Sequence, residues 1–230
     1  MGKMRKLLVG ALLVAAGTVA MAHSDGGYVD NDFFKGMKKG DKAAVLMVHF
    51  GTTYDDARAL SIDAINNKAK KEFKGVDVKE AFTSRIVMRR LKERGIEKLN
   101  PSEVINQLKA DGYTHLLVQG THIMNGVEST NLAEELKNYE KDFKDIRIGN
   151  PLLTDHEDYE AVAKALSDRI GPLKEGQGVV LVGHGTHHFG GSAYAMMDYV
   201  LTDAGLNTYA VGTVEGYPAF DNVVKKLKAN

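Results

Sequence analysis

Apolar residues along this chain switch repeatedly between a two-residue and a 3.6-residue spacing, so strands should alternate with helices. The pattern predicts strands over residues 43–48, 76–82, 116–119, 146–148, 179–182 and 208–211. Between and after them it predicts helices over 54–73, 85–94, 101–110, 128–143, 155–170, 193–204 and 219–228. In the first helix Ala57, Leu60, Ile65, Ala69 and Phe73 fall on or near one face. Pro101 sits in the first turn of the third, with Ser102 as a nearby polar starter, and acidic residues crowd the positive end of the fifth. Such alternation argues an α/β fold with parallel strands, helices on both faces and right-handed crossovers.

The N-terminus reads differently. Lys3, Arg5 and Lys6 precede an apolar stretch over 7–20, and Ala20-Met21-Ala22 has the small-residue pattern of a signal-peptidase site. The stretch is shorter than the ~20 residues that span hydrocarbon, which favours a cleaved signal peptide, 1–22, over a membrane anchor. Residues 23–41, with Gly26, Gly27, Gly36 and Gly40, read as a tether. The expected location is periplasmic, with no membrane span after cleavage.

Charge is balanced at 30 basic and 30 acidic residues, which leaves no electrostatic footprint for nucleic acid. Cysteine is absent, so disulfides, thiolate metal sites and cysteine nucleophiles are excluded. Imidazole and carboxylate remain as metal ligands. Three histidines, His184, His187 and His188, follow the apolar run at 179–182, where the ligands of open α/β sheets are found. His184 is either a metal or proton ligand there or a turn histidine bonded to backbone.

Four predicted strands lead into Gly-Thr, at Gly51-Thr52, Gly120-Thr121, Gly185-Thr186 and Gly212-Thr213. Strand-to-helix turns favour these residues in any case; four together suggest two related halves offering loops to one cleft. Neither G-x-G-x-x-G nor G-x-x-x-x-G-K-[ST] occurs, so no phosphate loop is visible.

Four stretches carry a family resemblance: His49-Phe50-Gly51-Thr52-Thr53-Tyr54, Ala81-Phe82-Thr83-Ser84-Arg85-Ile86, Gly183-His184-Gly185-Thr186 with Ala193-Tyr194, and Val211-Gly212-Thr213-Val214-Glu215-Gly216-Tyr217-Pro218. Together they resemble the CbiK-type sirohydrochlorin cobaltochelatases of the anaerobic cobalamin pathway, from about Ala43 to Lys228. The resemblance implies two similar three-layer α/β lobes with parallel sheets and an active-site cleft between them. The expected lobes are 42–126 and 127–230, the second lacking the family's last strand and helix.

By resemblance, His184 is a metal ligand and proton acceptor and Glu215 its partner carboxylate. The substrate would be a tetrapyrrole, and the inserted metal Co2+, with Fe2+ as an alternative and haem as a further candidate ligand. Thr52, Arg85 and His122 are expected to bind substrate, Arg85 because guanidinium suits the many carboxylates of sirohydrochlorin. The family's second metal histidine, in a Gly-Asp-His motif, is expected beyond Asn230, which makes His187 and His188 candidate replacements. Adjacent residues on an extended loop point opposite ways, so at most one should join His184. His49 is either a metal or haem ligand or a buried imidazole. A homo-oligomer is expected. The alternative function is a non-catalytic carrier of metal, haem or tetrapyrrole on the same fold.

Overall fold

The structure, a computed structural model, describes residues 33–229; the expected signal peptide and the first part of the tether lie outside the described residues. In the first of two compact units, β1 (Ala43–His49), β2 (Asp77–Phe82), β3 (His115–Gly120) and β4 (Asp145–Gly149) form a parallel sheet in the order β2-β1-β3-β4. β1 lies between two partners and is buried from Ala44 to His49. Its alternate side chains feed two cores. Ala44, Leu46 and Val48 pack with Ile105, Leu116 and Leu136 on one face, while Val45 and Met47 pack with Ala69, Phe73 and Leu117 on the other. Strands buried on both faces must be apolar throughout, which is why β1 and β3 read as continuous hydrophobic runs. β2 is an edge strand and alternates, with Asp77 and Lys79 exposed.

Each predicted helix is present, with informative differences. The long first helix is broken into α1 (Asp55–Arg58), a π-helical turn (Ala59–Asp63) and α2 (Ala64–Glu72). A wide turn shifts the phase of the apolar stripe. Ile62 therefore faces the interior, and Leu60, expected inside, is 84% exposed. Next come α3 (Arg85–Lys92) and α4 (Pro101–Ala110). The polar starter of α4 is Asn100 rather than Ser102: Asn100 Oδ1 accepts from Glu103 N–H at 2.9 Å, and Glu103 Oε2 accepts from Asn100 N–H at 2.8 Å. Ser102 instead donates to Glu135. The helix expected to reach residue 143 is α5 (Val127–Leu136), closed by a 3₁₀ turn at Lys137–Tyr139.

The expected tether ends earlier than residue 41. Phe33 is 1% exposed, in the core with Val45, Met47 and Phe73, edge-on to His115 at 5.7 Å. Asp41 is tied to Lys144 at 2.6 Å, and the lysine, with Lys38 N–H, holds its carboxyl down to about 2.

The second unit holds β5 (Val179–Gly183) and β6 (Tyr209–Thr213), paired in parallel, with α6 (His156–Ile170), α7 (Ser192–Asp203) and α8 (Phe220–Ala229). Leu153, Tyr159, Met197, Leu201 and Val211 make its core, against which Val179 and Leu181 pack; on β6, Gly212 lies against Val223 of α8. β5 is an edge strand, and its alternate residues Val180 and Val182 are exposed. Both units are parallel α/β, and among the described residues their sheets have four and two strands.

The division between units differs from the boundary expected at 126/127. Among the described residues, those up to His122 and Glu128–Pro151 form the first; Ile123–Val127 and those from Leu152 form the second. The reason is strand pairing. β4 hydrogen bonds to β3, and Leu132, Leu136 and Ile146 complete the first core, whereas Ile123 C=O accepts from Leu153 N–H at 2.7 Å. Among the described residues no helix is long and apolar enough to cross a membrane.

Loss of the reciprocal cap on α4 should be measurable: Asn100→Ala is expected to lower stability by about 1 kcal/mol, or roughly 2–4 °C in Tm for a chain of this size, by urea and thermal unfolding.

Candidate active site

In the second unit, parallel pairing sets Gly183 opposite Thr213 and continues one step past both strands. Val214 N–H donates to Gly183 C=O at 3.0 Å, and Glu215 N–H to His184 C=O at 2.8 Å. His184 and Glu215 thus stand side by side at the carboxyl ends of β5 and β6, both exposed. The two loops are packed backbone to backbone. Gly185 has φ +89°, and a Cβ there would overlap the Glu215 main chain, so only glycine fits. Tyr194, near the start of α7, accepts from Gly185 N–H through its hydroxyl at 3.2 Å, which ties the histidine loop to the helix behind it. Thr213 N–H and Oγ1 both donate to Pro218 C=O, at 2.8 and 3.0 Å, and close the Glu215 loop at its base.

The ring of His184 is held at Nδ1. Nδ1 is 3.1 Å from Gly185 C=O, and since a carbonyl only accepts, Nδ1 carries the proton. In the neutral ring Nε2 then keeps its lone pair, the arrangement of a histidine ready to take a metal or a proton. His188 is in the opposite position. Its Nδ1 accepts from Gly190 N–H at 3.1 Å, capping the 3₁₀ turn Phe189–Gly191, and its ring lies 4.1 Å from that of Phe189. A neutral ring so used has no free lone pair, so His188 serves the turn. His187 is exposed. Among the described residues no three His, Asp or Glu side chains gather as a metal cage.

In the first unit three strand ends share a level. Thr83 N–H donates to His49 C=O at 2.8 Å, Ser84 N–H to Phe50 C=O at 3.1 Å, and Thr121 N–H to Val48 C=O at 2.9 Å. Thr52 belongs to the loop after β1, where its Oγ1 accepts from Tyr54 N–H at 3.2 Å. Arg85 is the first residue of α3 and is exposed. Phe50, Tyr54, Leu60 and Ile86, on the loop and helices that follow β1 and β2, are each more than half exposed, an apolar surface that strand and helix patterning did not single out.

His49 is no ligand in this arrangement. It is 1% exposed, with Nδ1 3.0 Å from Thr121 Oγ1 and Nε2 2.9 Å from Asn66 Oδ1, so both nitrogens are taken. His49 is the last residue of β1, whose two faces are both buried, whereas Phe50 is the first residue past it and is exposed. Asn66 continues to Glu80 at 2.8 Å, and Glu80 pairs with Lys98. None of Asn66, Glu80 and Lys98 was marked by sequence, where they read as ordinary polar residues of a helix, an edge strand and a loop. His122 is half-buried, and its Nε2 is buried without a hydrogen-bond partner. Burial holds the imidazoles of both His49 and His122 below the ordinary value of 6.5.

Both units are parallel α/β with candidate loops at the strand carboxyl ends, and the comparison with solved structures shows a shared fold. SirB from Bacillus subtilis with Fe3+ superposes with a TM-score of 0.59 at 18% identity, covering 81% of this chain and 71% of that one, a likeness of fold. The sequence model of the cobalt chelatase (CbiK) family matches residues 43–230, and the chain belongs to that family. It is 34% identical over 188 residues to a sirohydrochlorin cobaltochelatase of Salmonella typhimurium, covering 81% of this chain and 71% of the relative. It is 27% identical over 190 residues to the sirohydrochlorin cobaltochelatase CbiKC of Nitratidesulfovibrio vulgaris, covering 81% and 67%.

The two buried imidazoles set a pH dependence. With folded pKa values below the unfolded 6.5, they favour the folded state above that pH and cost stability as pH falls through it toward their folded values. Unfolding free energy should therefore fall on acidification below about 6.5, and His49→Gln should flatten part of that slope in urea titrations at stepped pH.

Proposed function

We propose that this chain inserts Co2+ into sirohydrochlorin, with His184 as metal ligand and proton acceptor and Glu215 as its partner. The observation that carries the reading is the 2.8 Å bond from Glu215 N–H to His184 C=O, which makes a histidine held at Nδ1 and an acidic residue main-chain neighbours past the ends of β5 and β6. The family match and the relatives' activity support the substrate and the metal.

The chemistry needs little else. Two pyrrole protons must leave as the ion enters the ring, and a neutral imidazole and a carboxylate can each take one at neutral pH. Imidazole plus carboxylate binds a first-row ion while leaving coordination positions open, as suits an ion that must be handed on. The same donors accept Fe2+, which is the alternative metal. Arg85 supplies an exposed guanidinium for the substrate's carboxylates, and Phe50, Tyr54, Leu60 and Ile86 supply apolar area for the macrocycle.

A second reading, carriage of a metal or tetrapyrrole without insertion, draws on the lack of any three-residue ligand cluster among the described residues. Export to the periplasm is also proposed, on the basic, apolar and small-residue pattern of residues 1–22.

The protein with sirohydrochlorin and Co2+ should speed the visible-spectrum change of insertion. His184→Ala should return the rate to that without protein, and Glu215→Gln should slow it about a hundredfold or more. A wild-type rate equal to the protein-free control sinks the chelatase reading, and a saturating one-to-one spectral shift without turnover selects the carrier. For location, N-terminal sequencing of protein from a periplasmic fraction should begin at His23; an uncleaved Met1 would exclude processing.

A further inference from the structure

We infer that Thr121 is a substrate-contacting residue that favours the metal-free macrocycle over the metallated product, and that His49 is the positioning residue that aims its hydroxyl. The inference rests on the chelatase reading and adds to it the ligand form that this part of the protein distinguishes.

The argument is one of donors and acceptors along a chain of side chains in the first unit. Lys98 pairs with Glu80 Oε1, and Glu80 Oε2 accepts from Asn66 Nδ2 at 2.8 Å. The Asn66 amide is thereby held with Oδ1 toward His49 Nε2, at 2.9 Å. An amide oxygen only accepts, so Nε2 carries the proton. The neutral ring then has its lone pair at Nδ1, and Thr121 Oγ1, 3.0 Å away, must donate to it. Burial of His49 keeps the ring neutral. The alternative acceptor for that hydroxyl, Val48 C=O, is farther, at 3.3 Å.

A hydroxyl has one proton, and His49 takes it. What Thr121 presents at the end of β3 is therefore an oxygen that accepts and cannot donate. Thr121 is half-buried, next to His122, on the strand-end loop where the family chemistry is expected. A free-base tetrapyrrole has pyrrole N–H groups that can tilt out of plane toward such an oxygen. The metallated ring has none. One hydrogen bond made to substrate and lost in product weakens product binding, which helps release.

Two measurements test this. In ligand-free protein, 15N spectra of the histidine rings should show His49 neutral with its proton on Nε2; a proton on Nδ1, or fast exchange between the two, overturns the inference without reference to any substrate. By absorbance titration, the wild type should bind sirohydrochlorin about tenfold more tightly than cobalt-sirohydrochlorin, the worth of one hydrogen bond. Thr121→Val, an isosteric change at a half-buried position, should abolish that preference. His49→Gln should do the same, and the double variant should be no worse than either single one, because both remove the same bond. A preference that survives Thr121→Val, multiplicative effects, or tighter binding of the product through Thr121 as an axial oxygen on cobalt overturns it. If the wild type binds neither macrocycle, the chelatase reading fails, and the ring spectra alone then judge the side-chain chain.

Discussion

In-register parallel pairing is the constraint on which both candidate loops depend. β1 is hydrogen bonded along both edges and buried on both faces, so it cannot slide without breaking two ladders and two apolar cores at once. Because parallel strands run the same way, their carboxyl ends arrive at one level. That brings the segments after β1, β2 and β3 together in the first unit. The same rule sets His184 beside Glu215 in the second. The adjacency of these two residues is thus a by-product of backbone geometry.

The alternation of elements was legible because each strand and helix has a clear period, and every predicted element is present. The misreadings have physical causes. A π turn is one added residue in a helical pattern, and nothing in Ala59–Asp63 announces it, yet it turns Leu60 outward. Ser102 was the polar starter expected for α4, whereas the cap is Asn100, ahead of Pro101 at the first helical position and three residues before Glu103. The unit boundary was misjudged because β4 returns to the first sheet after the chain has already visited the second unit, a detour that local periodicity cannot register.

The histidines show most clearly where sequence stops. His49 and His184 both follow apolar runs, but His49 is the last residue of a strand buried on both faces, whereas His184 lies one step past β5 and is exposed. Gly51 and Gly185 share a positive φ, +98° and +89°, so the turns correspond, and the position matching His184 in the first unit is Phe50. His187 and His188 look equivalent in the sequence, whereas the structure spends His188 on capping a turn. His115 is likewise buried, with Nδ1 2.9 Å from Thr114 Oγ1. Residue type tells what an imidazole can do; its hydrogen bonds tell which nitrogen is left to do it.

Phe33 bears on how the protein can be handled. It packs by His115, the first residue of β3, and so enters the fold at the amino ends of the strands. The loops that carry Thr121 and Arg85 lie at the other end of the sheet, about 20 Å away for a six-residue strand. A label on Phe33 itself would therefore sit at the opposite end of the sheet from those loops, whereas an internal tag near Thr52 would lie among them.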